Sequence, residues 1–184
     1  MTEWIVLGII VAIGLYAVSI YNRLVKNRQM VEEGWSGIDV QLKRRTDLIP
    51  NLMETVKGYM THERELLEQI AELRSRAQGA ANGTPGERGP IEAALSGALG
   101  RLFAVVENYP DLKANQNFME FQASLSEIED HIQMSRRYYN GATRNLNILV
   151  ESFPSNLVAN MFRFQKSDYF EIDDGERENP QVAF

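Results

Sequence analysis

The sequence predicts an all-α protein: an N-terminal transmembrane helix, then an antiparallel four-helix bundle, then a short amphipathic helix and an acidic C-terminal tail. Three observations carry that prediction. An uncharged apolar run fills Trp4 to Ile20. Beyond it, apolar residues recur at alternating spacings of four and three, the signature of helical seams. No stretch alternates with period two for long enough to build a sheet.

The run reads WIVLGIIVAIGLYAVSI. At ~1.5 Å per residue it reaches ~26 Å, just short of a ~30 Å hydrocarbon core, and Tyr21 extends it at the interface. Each Ile, Leu or Val contributes roughly −0.3 to −0.6 kcal/mol to insertion, so the segment favours the bilayer. Trp4 and Tyr21 sit at the ends, where aromatic belts form, with Leu7, Ile10 and Leu15 between them. A cleaved signal peptide fits poorly, because Met1-Thr2-Glu3 has no basic residue and no A-x-A-like site follows. Gly8 and Ala12 form a small-xxx-small pair suited to helix packing in lipid. Only Glu3 precedes the span, whereas Arg23, Lys26 and Arg28 follow it closely. Positive-inside then predicts a single-pass protein with its N-terminus outside and the bulk of the chain cytoplasmic.

The expected organisation is an anchor over 1–20, a helical bundle over 21–164 with a loop at 79–90, and a tail over 165–184. The first seam runs from Leu24 through Val31, Ile38, Leu42, Arg45, Ile49, Leu52 and Val56 to Leu73. The second runs from Ile91 to Tyr109, the third from Phe118 to Phe153. Polar seam residues such as Arg28, Arg45, Glu63 and Ser135 read as register or pairing devices across the bundle.

Breaks follow Pro and Gly. GAANGTPGERGP, over 79–90, reads as a loop by composition. Tyr109-Pro110-Asp111 reads as a turn, and Pro154 ends the last long helix, with Ser155 a candidate cap for a short new one. Thr46 to Pro50 is ambiguous. Pro50 removes a backbone donor and disfavours helix at Ile49, yet the heptad register crosses it without a slip. Segment 21–79 is therefore either one kinked helix or two antiparallel ones, and the helix lengths needed for a bundle favour a turn here.

Chemistry is hard to find. There is no cysteine, which excludes disulfides and thiolate sites, and the two histidines are His62 and His131. His62-Glu63 opens like HExxH but reaches Leu66, and GTPGERG lacks the lysine and hydroxyl of a phosphate loop. Glu129, Asp130 and His131 are consecutive and diverge by about 100° each on a helix. No catalytic residue, metal site or cofactor is expected. The net charge of −6 argues against nucleic acid. The acidic run from Glu171 to Glu178 reads as a solvated tail. Asparagines near the last helix, including Asn115 and Asn147, read either as caps or as a hydrogen-bonding surface for neighbouring subunits.

After Phe153 and Pro154, the residues Leu157, Val158, Met161, Phe162 and Phe164 form an apolar stripe with Arg163 and Lys166 beside it. The stripe suits the bilayer surface, a neighbouring protomer or its own bundle.

These stretches resemble the LemA family. They are YNRLV (21–25), VEEGWSGIDVQLKRRTDLIPNLMETVKGYMTHE (31–63), VENYPDLKANQNF (106–118), SRRYYN (135–140), FPSNLVANMFRF (153–164), YFE (169–171) and the ending PQVAF. Gly34 and Gly37 depart from it, standing where better helix formers are expected. The resemblance implies a bacterial membrane protein with an N-terminal anchor and a cytoplasmic four-helix bundle. It carries no catalytic residues. It includes a magnetosome-membrane relative, and neighbouring genes often encode membrane proteases and envelope proteins. The implied function is a non-enzymatic scaffold at the inner face of the bacterial cell membrane, acting in envelope stress or membrane remodelling. The expected partners are other copies of the chain in a homo-oligomer, the lipid bilayer and a membrane protein. One alternative is an adaptor that recruits a membrane protease through a tail bearing Tyr169, Phe170, Val182 and Phe184. The other is a hydrolase with carboxylates gathered across helices.

Overall fold

A computed structural model describes residues 1–60 and 62–171. It contains α1 (Thr2–Lys57), α2 (Arg64–Gly79), α3 (Pro85–Val106), α4 (Pro110–Lys113), α5 (Gln116–Glu151) and α6 (Ser155–Met161). No strand occurs among the described residues. The all-α prediction holds. The chain divides into two compact units, one of Met1–Ser36 with Arg136–Tyr169, the other of Gly37–Ser135 with Phe170–Phe184.

In the first unit, the apolar span of α1 stands exposed, with only 6% of its most apolar window buried. Burial begins at Ile20 and continues on the same helix with Leu24 and Val31. Their spacings of four and seven put them on one face. Tyr139, Ala142 and Leu146 of α5 and Val158 and Ala159 of α6 are buried in the same unit. The Trp35 and Tyr139 rings lie 5.7 Å apart. A Cβ on Gly34 would lie 3.0 Å from the Tyr139 Cα, so this glycine permits close approach of the two backbones.

The second unit holds a core of Ile49, Leu52, Val56, Ile70, Leu73, Leu95, Leu102, Phe118 and Leu125. Here the favoured turn at Thr46–Pro50 is corrected, because α1 runs through Pro50 without a break. A helical Pro50 leaves the Thr46 carbonyl without its amide donor. Arg74 Nε of α2 donates to that carbonyl at 3.0 Å and replaces the missing bond. The chain breaks instead after Lys57, ahead of α2. We expect Arg74→Met to cost about 1.5–3 kcal/mol, as for a hydrogen bond from a charged donor. In a Pro50→Ala background, where an amide can return, the same substitution should cost less. Thermal melts followed by circular dichroism measure both.

The 79–90 loop is shorter than its composition suggests, since α3 begins at Pro85. Thr84 caps it: its hydroxyl accepts from Glu87 N at 3.3 Å, and the Glu87 carboxylate accepts from Thr84 N at 2.8 Å. The Thr84 hydroxyl also donates to that carboxylate at 3.1 Å, and the bonds from the Thr84 amide first and its hydroxyl second hold the Glu87 carboxyl below its ordinary range. Pro85 occupies the first turn, where its missing donor is harmless. Asn115 Oδ1 accepts from Phe118 N at 3.1 Å, a local capping role at the start of α5. Ser155 does not cap α6. It is already helical, and its hydroxyl donates to the Ser152 carbonyl at 2.9 Å.

Candidate membrane-interface site

Tyr21 closes the apolar span, and it is also where α6 meets α1. Its ring lies 4.7 Å from Phe162 and 5.8 Å from Phe164. The Arg28 guanidinium sits 5.3 Å from the Phe164 ring centre, within cation–π range. These contacts set α6 at the height where the span ends. Its stripe divides there. Val158 and Ala159 turn inward, while Phe153, Leu157, Met161 and Phe162 stay exposed, Phe153 and Met161 at 79% and 76%.

A two-bond closure ends α6. Phe164 N donates to Ala159 O at 2.9 Å and Arg163 N to Asn160 O at 3.3 Å. This Schellman pattern needs a left-handed residue, usually glycine. Arg163 fills it at φ 58°, against a preference of about 1–2 kcal/mol.

Residues 165–169 then lie as an extended strap on α5. Asn147 grips it twice, accepting from Ser167 N at 2.9 Å and donating to Ser167 O at 3.0 Å. The Tyr139 hydroxyl donates to Asp168 O at 2.7 Å. Burial holds that phenol above its ordinary value, which keeps the donor protonated. Asn147 thus secures its own chain rather than standing free for a neighbour.

The LemA family pattern matches residues 34–184. The chain belongs to the LemA family. Among relatives it is 29% identical over 160 residues to Protein LemA of Metamycoplasma hominis, covering 83% of this chain and 72% of that one. It is 27% identical over 175 residues to Magnetosome protein MamQ 2 of Paramagnetospirillum magneticum, covering 82% and 64%. It is 24% identical over 174 residues to Magnetosome protein MamQ of Magnetospirillum gryphiswaldense, covering 82% and 64%. The chain therefore spans about two thirds of the length of the MamQ relatives. The family match begins beyond the apolar span of this LemA-family chain.

Trp4, Leu7, Ile10 and Leu15 are all exposed on α1, and Tyr21 is partly covered by its ring contacts. Of the stripe, Val158 is buried and Phe164 half-buried, leaving Phe153, Leu157, Met161 and Phe162 as the accessible surface. Tyr169 is exposed, but Phe170 is fully buried in the second unit and unavailable to a partner in this conformation. Val182 and Phe184 lie outside the described residues. In the sequence Arg163 is legible only as a cation beside the stripe, and Asn147 only as a capping or hydrogen-bonding asparagine.

The second unit contains a polar network of which the seams show only Arg45. This arginine is fully buried and donates to Glu92 Oε2 at 2.6 Å, to Ser96 and to Glu129. Arg88 joins from the other side, 3.5 Å from Glu92 Oε1 and 2.7 Å from Asp39 Oδ1. Carboxylates from three helices, Asp39 of α1, Glu92 of α3 and Glu129 of α5, do gather here, as a hydrolase would need. Each is bound to a guanidinium, which suits packing better than proton transfer. No group of three or more potential metal ligands occurs among the described residues.

Proposed function

We propose that this LemA-family protein is a non-enzymatic, single-pass membrane scaffold. Its α1 span anchors it in the bacterial inner membrane, its body lies on the cytoplasmic face, and it self-associates through its helices. One observation carries the reading: Tyr21, at the end of the exposed apolar span, packs directly on Phe162 beside the exposed side chains of α6. A side chain such as Met161 held out at that height enters the headgroup boundary, where apolar burial strengthens attachment. Because α1 passes from span to buried seam in one helix, the first unit and its anchor move together. Lateral association of bodies would then array the anchors as well.

Two measurements on the full-length protein test this. It should remain with membranes through alkaline carbonate extraction, and light scattering in mild detergent should give a mass of several protomers. Release by carbonate would reject the anchor, and a clean monomer would reject self-association. Replacing Leu157 and Met161 together by Ser should leave the anchored fraction unchanged but reduce penetration, read as lost quenching of a nearby probe by bilayer-borne quenchers.

A further inference from the structure

Beside α6 lies an open cleft of about 330 Å³, lined by Arg28, Val31, Glu32, Leu146 and residues 163–167. We infer that it holds the phosphate of an anionic phospholipid headgroup. The inference rests on the anchored reading above and adds a ligand to it.

Position comes first. Arg28 follows Tyr21 by two helical turns, about 10 Å. Helical side chains lean toward the N-terminus, so its guanidinium reaches back toward the bilayer. It arrives over Phe164, whose ring also touches Tyr21. The cleft therefore lies at headgroup depth, lined by apolar Val31, Leu146 and Phe164 and by the cations Arg28, Arg163 and Lys166.

Charge comes second. Arg28, Arg163 and Lys166 face one lining carboxylate, Glu32. Arg28 pairs with Glu32 only at 3.7 Å, and Lys166 pairs with Glu151 at 2.8 Å. Arg163 has no ion-pair partner among the described residues and stands exposed. It also occupies the left-handed position where glycine would be at ease. The conformation puts a cation in the cleft lining that local backbone preference alone would not select. A phosphate oxygen there would receive charge-assisted bonds from a guanidinium, the geometry at which arginine excels.

The test uses the full-length protein in nanodiscs of phosphatidylcholine doped with phosphatidylglycerol. Lipid retained through detergent release is counted by native mass spectrometry. Wild type should enrich phosphatidylglycerol over its bilayer proportion. Arg163→Gly keeps the backbone conformation and should cut that enrichment about fivefold, the worth of one interfacial cation. Adding Arg28→Gln and Lys166→Gln should remove the remainder. Millimolar inorganic phosphate should leave the enrichment unchanged. Equal retention of both lipids by wild type, or full enrichment by Arg163→Gly, overturns the site. Displacement by inorganic phosphate overturns the lipid assignment in favour of a free anion. Loss of the protein from the discs would instead strike the anchored reading, so the two failures are separable.

Discussion

Arg45→Met should destabilise the protein by about 3–5 kcal/mol, lowering its melting temperature by roughly 6–20 °C. The reason is what remains behind. Glu92 is only 1% exposed, and its shortest ion-pair contact is the 2.6 Å one to Arg45. Without that guanidinium, a buried carboxylate keeps its desolvation cost and loses most of its compensation. Arg88, at 3.5 Å, still offers part of it, which places the expected loss toward the lower end. Glu129 contributes less, because its side chain is 33% exposed and water can replace Arg45.

The double variant Arg45→Met/Glu92→Gln should recover more than half of the loss, since no unpaired buried charge remains. A coupling of roughly 0.5–3 kcal/mol in the double-mutant cycle would show that the pair acts as a unit. Simple additivity would mean that Arg45 contributes only its packed aliphatic stem. Thermal or urea unfolding in detergent, followed by circular dichroism, supplies the values. A functional carboxylate site predicts a different pattern. Glu92→Gln alone would then leave stability intact and change only activity, whereas the packing role makes it destabilising by leaving Arg45 short of a partner.

Arg45 also shows how far the sequence could be read. Its place in a four-three seam was visible, and with it the expectation of pairing across helices. Its partners were not, because Glu92 and Glu129 lie on other helices, one residue beside the seam positions Ile91 and Ile128, and one sequence gives no register between helices. The exposed span, the all-α class and the breaks at Pro110 and Pro154 follow from local rules: length, period and missing amide donors. Pro50 defeated the same rules. The helix survives there because Arg74, from a different element, donates to the carbonyl that proline abandons. The heptad register that crosses Pro50 unbroken was the better signal, since it reports continuous packing rather than one lost bond. At 79–90, Gly and Pro content suggested a loop where Thr84, Pro85 and Glu87 form a helix start. The stripe at 157–164 was legible as amphipathic, but its division between buried Val158 and exposed Leu157 and Met161 depends on where α6 docks, which periodicity does not encode.

The burial of Phe170 was the least legible feature, because it sits just before an acidic tail with no seam around it. Phe170→Ala should cost about 3–5 kcal/mol, the range for a buried phenylalanine truncated in a core. Gly89 offers an independent check. A Cβ there would collide with the Glu171 carbonyl oxygen, a backbone contact that no rotamer change relieves. Gly89→Ala should therefore lift the chain at Glu171 and draw the adjacent Phe170 from its pocket. The two substitutions damage one interaction, so their effects should not add. In the Phe170→Ala background, displacement costs little, and alanine's helix preference over glycine in α3, up to about 1 kcal/mol, comes into view. Gly89→Ala is then expected to change sign, from destabilising in wild type to neutral or stabilising. Melting curves of the four proteins decide the matter. A Gly89→Ala loss that persists in full without Phe170 would place its cost in α3 itself and reject the shared mechanism.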